Sequence, residues 1–203
     1  MIIKFLHSKS KEVEKLLDIY DEYDWFVDNK FPIKLPKFYV KLYKKYKNNK
    51  KLFTQELESK LNIVYKPSVY LINVLKVKNS WQRTEPKFFS TIKDLDIEVS
   101  GGYVCNISLY GPEGRFKLPN IIDLRIASSK DVKDANETIA HELIHLMINS
   151  KAKKLKLNYQ EVEGVVDMFF TDTNLSNIFQ KYKLQSIANH SKKIFSELIK
   201  TKK

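Results

Sequence analysis

A glutamate and two histidines interrupt an otherwise apolar run, TIAHELIHLMIN, between Thr138 and Asn149. Ile139, Leu143, Ile144 and their apolar neighbours leave little solvent-facing surface if this run is a helix. Burying imidazoles and a carboxylate costs free energy unless these groups find partners. The run therefore predicts a half-buried helix whose polar side chains converge on a common partner.

The spacing of the polar residues fits the pattern HExxH. On a helix, His141 and His145 lie on one face with Cβ atoms about 5–6 Å apart. Both imidazoles can then reach one ion, since Zn–N bonds are roughly 2.0–2.1 Å long. Glu142 is turned by about 100° from His141, so it misses the ion and can act as general base toward a water bound to it.

A third metal ligand is predicted on the next segment, YQEVEGVVDMFFTD. Glu163 and Asp167 lie four residues apart, and on a helix both project the same way. Glu163 can complete a His, His, Glu set, and Asp167 can accept a hydrogen bond from the far nitrogen of His141. Glu161 is the alternative ligand. Gly164 is interpreted as allowing close approach of the two helices.

The combination of HExxH with ExxxD on a following helix resembles the gluzincin clan of zinc peptidases, which has the thermolysin-like architecture. The resemblance covers about the middle third of the chain. It implies one catalytic Zn²⁺ held by His141, His145 and Glu163, with Glu142 activating water and Asp167 orienting a ligand. It also implies a peptide or protein substrate. The 18 residues from His145 to Glu163 make a compact member of the clan.

The same resemblance gives a role to the strand that precedes the active-site helix. In zincins an edge strand at this place pairs with extended substrate, and residues 121–127 (IIDLRIA) alternate apolar and polar side chains as a strand does. The residues expected to bind substrate are Ile121, Ile122, Asp123, Leu124 and Arg125. A plain core strand is the alternative.

Clan members also carry a His or Tyr that stabilises the oxyanion of the tetrahedral intermediate. Tyr159, Tyr182 and His190 lie in the appropriate half of the chain, and the sequence does not rank them.

Two other functions stay open at this level. One is an intracellular regulatory peptidase of the ImmA/IrrE group, although that group often has Gly where this chain has Ile144. The other is a basic binding protein with a structural or inactive metal site, suggested by the net charge of +12. Nucleic acid is a possible but not a favoured partner, because the lysines are spread along the chain and arginines are few.

The expected fold class is α+β and zincin-like, with a small mixed sheet packed on the HExxH helix. A mostly helical N-terminal region (1–85) is expected to precede the catalytic domain (86–203). Helices are predicted at 9–28, 37–48 and from Thr54 to Pro67, strands at 68–77, 97–110 and 121–127, a turn at 111–114, and helix from Asp134 onward.

The expected location is cytoplasmic. The single cysteine, Cys105, cannot form an intrachain disulfide, which is typical of reducing compartments. The short apolar stretch at the N-terminus breaks at His7 and does not resemble a signal peptide. No stretch is apolar for long enough to span a membrane.

Overall fold

The computed structural model describes residues 2–99 and 101–199. It shows an α+β protein with a four-stranded mixed sheet and helices on both of its faces, which confirms the coarse fold prediction. The elements in chain order are β1 (Ile3–Leu6), α1 (Lys9–Asp28), α2 (Tyr39–Tyr46), α3 (Lys50–Val64), α4 (Pro67–Asp94), β2 (Tyr103–Ser108), β3 (Gly114–Lys117), β4 (Ile121–Arg125), α5 (Ser129–Lys154), α6 (Tyr159–Thr171), a 3₁₀ turn (Asn174–Asn177) and α7 (Lys192–Ile199).

The order of the strands in the sheet is β1-β2-β4-β3. The pairs β1/β2 and β2/β4 are parallel, whereas β3 runs antiparallel to β4. The prediction that residues 121–127 form an edge strand is wrong, because β4 is hydrogen-bonded to β2 on one side and to β3 on the other. The antiparallel edge is β3, at 114–117, a strand that the sequence pattern did not predict.

The main core lies between one face of the sheet and the helices α4, α5 and α6. From the sheet, Cys105, Ile122 and Leu124 are at most 1% exposed, and from α5, Ile139 and Leu143 are fully buried. The three sheet residues share one face, with Cys105 of β2 paired with Ile122 of β4 and Leu124 two residues further along β4, as expected when one face of a sheet is packed on a core. The packing fixes the HExxH helix directly against the sheet.

A second cluster of buried hydrophobic residues lies among α1, α2 and α3. Leu16 and Ile19 of α1 belong to this cluster. The predicted boundary between residues 1–85 and 86–203 falls inside α4, and β1 pairs with β2. The division into two domains stays a prediction.

The strand predicted at residues 68–77 is wrong, since these residues lie in α4. Pro67 stands in the first turn of the helix, where its missing N–H and fixed φ are favourable. The buried residues Tyr70, Val77 and Trp81 recur at helical spacing. The branched side chains that suggested a strand include Leu71 and Ile72, which are half exposed.

Three helices agree closely with the prediction for the N-terminal region, namely α1, α2 and α3, although α3 begins at Lys50 rather than at Thr54. Strand structure within 97–110 is limited to β2 in the described residues. The prediction of helix from Asp134 to the end is wrong for the segment between the 3₁₀ turn and α7, which has no regular structure. Within the described residues, no helix combines the length and the apolarity needed to cross a bilayer.

Candidate metal centre

Helix α5 carries His141, Glu142 and His145 near its middle. Ser128 caps the helix by accepting a hydrogen bond from the N–H of Asp131, and Asp131 places a negative charge in the first turn. The side chains of His141 and His145 are 12% and 4% exposed. The helix therefore begins well before the site and presents both imidazoles from a packed, central turn.

Helix α6 supplies Glu163 and Asp167 from one face, as the spacing predicts. Both residues are buried, at 5% and 0% exposure. The alternative ligand, Glu161, has another role: it forms a capping box with Asn158, in which each side chain accepts from the other residue's backbone N–H. Glu163 is therefore the carboxylate that faces α5.

Three side-chain atoms of these helices form a compact triangle. His141 Nε2 lies 3.1 Å from His145 Nε2 and 3.4 Å from Glu163 Oε2, and His145 Nε2 lies 3.3 Å from Glu163 Oε1. A tetrahedral ion with bonds of about 2.0–2.2 Å needs neighbouring ligand atoms about 3.3–3.6 Å apart. The donor set and its spacing fit a divalent ion. Within the described residues, this is the group that can hold a metal.

The charge of Glu163 matches this role. Burial alone would raise the pKa of Glu163, but the contacts with the imidazoles of His141 and His145 outweigh burial and lower the pKa to about 2. The carboxylate is therefore ionised at neutral pH, as a metal ligand must be.

The carboxylate of Glu142 lies beside the edge strand β3. The backbone N–H of Phe116 donates a hydrogen bond to its carboxylate, and burial raises the pKa of Glu142 to about 7. Gly114 makes this position possible: a Cβ at residue 114 would lie 2.5 Å from Oε1 of Glu142 and 2.5 Å from Cγ2 of Thr138. Sequence reasoning missed Gly114, whose only signal was its place in the turn motif GPEG.

Strand β3 also contacts the triangle of His141, His145 and Glu163. The ring of Phe116 stacks on His145, with centroids 4.9 Å apart and planes at 12°. The backbone N–H of Arg125 donates to the carbonyl of Glu113, directly before β3, so Glu113 and Arg125 are a hydrogen-bonded pair. This pair determines which residues of β3 direct their backbone groups toward β4. Because hydrogen-bonded pairs alternate in an antiparallel ladder, the backbone N–H and C=O groups of Gly114 and Phe116 point away from β4. The edge facing Glu142 is thus backbone that no other described strand pairs with.

The predicted direct hydrogen bond between His141 and Asp167 is wrong, because the hydroxyl of Tyr182 lies between them. Tyr182 Oη is 3.0 Å from His141 Nδ1 and donates to Asp167 Oδ1 at 2.6 Å. Burial and the neighbouring Asp167 raise the pKa of Tyr182, so the hydroxyl stays protonated. No sequence pattern pointed to this contact, which spans 41 residues.

The segment after α6 encloses the other side of Asp167. Asp167 Oδ2 accepts from the backbone N–H of Gln185 at 3.0 Å and contacts His190 Nε2 at 2.9 Å. A Cβ at Gly164 would collide with the carbonyl oxygen of Asn189. Gly164 therefore makes room for this segment and not, as predicted, for α5.

The structure distinguishes the three residues proposed as oxyanion stabilisers. Tyr182 and His190 are engaged with Asp167. Tyr159 is 58% exposed and its hydroxyl bonds Glu163, while burial together with the charges of Glu163 and Glu142 raises its pKa to about 12. Tyr159 is the one of the three that lies beside the Glu163 carboxylate and faces solvent.

The residues of β4 predicted to bind substrate have structural contacts instead. Ile122 and Leu124 are in the core, and Ile121 pairs with Lys117 and Val104. The two polar members are also engaged. Asp123 accepts a hydrogen bond from Asn106 and pairs with Lys117. Arg125 pairs with Asp131 and donates a hydrogen bond to the Gly111 carbonyl. Because β4 is paired with β2 on one side and with β3 on the other, the prediction that these residues pair with a peptide is wrong.

Comparison with known proteins adds no relative: no family model, no curated protein and no solved structure matches the chain.

Proposed function

We propose that the protein is a zinc-dependent peptidase that hydrolyses peptide bonds with Glu142 as general base. The observation that carries the proposal is the triangle of His141, His145 and Glu163 donor atoms, 3.1–3.4 Å apart, with a buried Glu142 one residue along the same helix. Two imidazoles and a glutamate are the ligand set of gluzincin-type catalytic zinc. The proposed fold is accordingly a small zincin-like domain.

Each residue of the site has a definite task in this proposal. His141, His145 and Glu163 would hold the ion, which would polarise the scissile carbonyl and make water a stronger acid. The carboxylate of Glu142 takes a proton from the attacking water and then delivers it to the leaving amine. Its pKa of about 7 suits both steps near neutral pH.

Substrate binding is assigned to the edge strand β3. Gly114 and Phe116 direct their backbone N–H and C=O groups away from β4, beside Glu142. The Phe116 N–H is donated to Glu142, so pairing uses the Gly114 groups and the Phe116 C=O. An extended peptide can pair with this edge through main-chain hydrogen bonds, which give affinity without a sequence requirement. Such pairing brings a peptide carbonyl next to the triangle.

Tyr159 is assigned to the oxyanion. A tyrosine with a pKa near 12 is protonated at neutral pH, and in this proposal its hydroxyl turns from Glu163 to donate its single proton to the oxygen of the attacked carbonyl. Its place on α6, one turn before Glu163, supports this assignment.

The test is Glu142→Gln beside wild type, both loaded with zinc and assayed on casein. Removal of a general base lowers the rate by about 10²–10⁴-fold, and we expect the variant to lose cleavage in that range while binding one zinc per chain. The control is Glu58→Gln, which neutralises an exposed acid on α3 and should cleave casein like wild type.

Equal cleavage by wild type and Glu142→Gln would contradict the proposed mechanism. A zinc-loaded wild type that is inert toward casein and toward a random peptide library would instead favour the regulatory peptidase with one dedicated substrate. A protein that binds no metal would favour the basic binding protein.

A further inference from the structure

The hydrogen bonds around Tyr182 determine which nitrogen of His141 carries the proton. The carboxylate of Asp167 can only accept, and the single hydroxyl proton of Tyr182 is donated to it at 2.6 Å. The contact of 3.0 Å between Tyr182 Oη and His141 Nδ1 must then use the proton on Nδ1. The lone pair of Nε2 is left facing His145 and Glu163, which is the tautomer that binds a metal.

Tyr182 is itself held on two sides. Its ring lies flat on Phe170, with centroids 3.9 Å apart and planes at 3°. Its hydroxyl partner, Asp167, is fully buried and also contacts Gln185 N and His190 Nε2. A carboxylate with three donors around it has little freedom to move, so the hydroxyl is fixed relative to His141.

The two metal-binding imidazoles differ in this respect. Within the described residues, Nδ1 of His145 is buried and has no hydrogen-bond partner. His145 is oriented by packing, with Phe116 stacked on its ring and only 4% of its side chain exposed. His141 is more exposed, at 12%, and its Nδ1 contacts the Tyr182 hydroxyl at 3.0 Å.

We propose that Tyr182 is a positioning residue of the metal site. Its hydroxyl donates to the buried carboxylate of Asp167 and accepts from His141, and it thereby holds the His141 imidazole in the metal-binding tautomer. The irregular segment between α6 and α7 thereby becomes a third component of the site, beside the HExxH helix and the Glu163 helix. The inference rests on the proposed metal site and is independent of peptidase activity.

The experiment measures the dissociation constants of zinc and cobalt for the folded wild type and for Tyr182→Phe, by competition with a chromophoric chelator. Phenylalanine keeps the ring on Phe170 and removes only the hydroxyl. Loss of an outer hydrogen-bond partner of a metal-binding histidine weakens metal affinity about 10–100-fold, and we expect a loss in that range. The absorption spectrum of bound Co²⁺ should change with it.

The matched control is Tyr65→Phe, which removes another tyrosine–histidine contact, of 3.1 Å between Tyr65 Oη and His7 Nδ1, that involves no residue of α5 or α6. It should leave both dissociation constants unchanged. If Tyr182 had only a structural role, the metal-free Tyr182→Phe variant would melt at a lower temperature, with unchanged zinc and cobalt affinities and an unchanged Co²⁺ spectrum. That result would overturn this inference and leave the proposed function standing. A wild type that binds neither ion would overturn both this inference and the proposed function.

Discussion

Gly114 shows how one missing side chain shapes the site. The α-carbon of this residue lies so close to α5 that a methyl group would meet the Glu142 carboxylate and the Thr138 methyl group at 2.5 Å. The flexible end of Glu142 is the part that can yield. A larger residue at position 114 would therefore displace the proposed general base and leave the helix in place.

Gly114→Ala should accordingly bind zinc like wild type but cleave casein about 100-fold more slowly, since a misplacement of 1 Å can cost about that much in rate. Gly101→Ala is the control, because a Cβ there would meet nothing within 4 Å. Measured rates of the two variants decide the point. Wild-type cleavage by Gly114→Ala would show that Glu142 does not need its observed position.

The residues that the sequence predicted best are those whose chemistry depends on helical spacing. His141, His145, Glu163 and Asp167 are related by four-residue intervals within two helices, and local geometry alone brings each pair to one face. Tyr182 could not be predicted in this way. Its contacts with His141 and Asp167 join parts of the chain that are brought together only by the folding of the irregular segment.

Among the elements, α1 packs charged residues against the sheet. Glu12 and Lys15 are 1% and 5% exposed. Burial raises the pKa of Glu12 to about 7, although Lys15 and the backbone N–H groups of Leu109 and Tyr110 oppose it; the charge of Asp123 adds to the increase. Burial likewise lowers the pKa of Lys15 to about 8, although Asp123 and Glu12 oppose the change.

The Glu12 shift predicts a pH dependence of stability. Between about pH 4.5 and pH 7 Glu12 is ionised in the unfolded chain and protonated in the folded one. The folded state binds more protons, so its stability must fall as pH rises through this window. Each unit of pKa difference corresponds to about 1.4 kcal/mol. We therefore expect wild type to lose on the order of 2 kcal/mol relative to Glu12→Gln across the window.

Urea unfolding in the presence of a chelator, at about pH 5 and about pH 7.5, measures this difference; the two values bracket the titration of the Glu12 carboxyl. Glu14→Gln on the same helix serves as control, since its side chain is 49% exposed and pairs with Lys11. A stability difference between wild type and Glu12→Gln that is the same at both pH values would contradict the assigned pKa.

The elements that were mispredicted share a physical cause. Residues 68–77 have the branched side chains typical of strands. They nevertheless lie in α4, which begins at Pro67 and buries one of its faces. Strand β3 is four residues long and follows a turn, so it presents too few positions for an alternating pattern. The order of strands in the sheet is a long-range property that no local pattern contains.

At the scale of the whole molecule, the site is assembled from elements that are distant in the chain. The sheet and α5 share one core and hold β3 against the HExxH helix. Helix α6 brings Glu163 to the two histidines, and the segment after α6 adds Tyr182. The α+β class could be predicted from composition and periodicity. The pairing of β1 with β2 and the packing of α1 against the sheet could not.

The most direct test of the metal centre is anomalous diffraction from a crystal of the wild-type protein grown with zinc. We expect one strong peak at the zinc edge, within bonding distance of His141 Nε2, His145 Nε2 and a Glu163 carboxylate oxygen, and no such peak in Glu163→Ala crystals. A wild-type map with no peak there, or with zinc bound only elsewhere on the protein, would contradict the proposed metal centre.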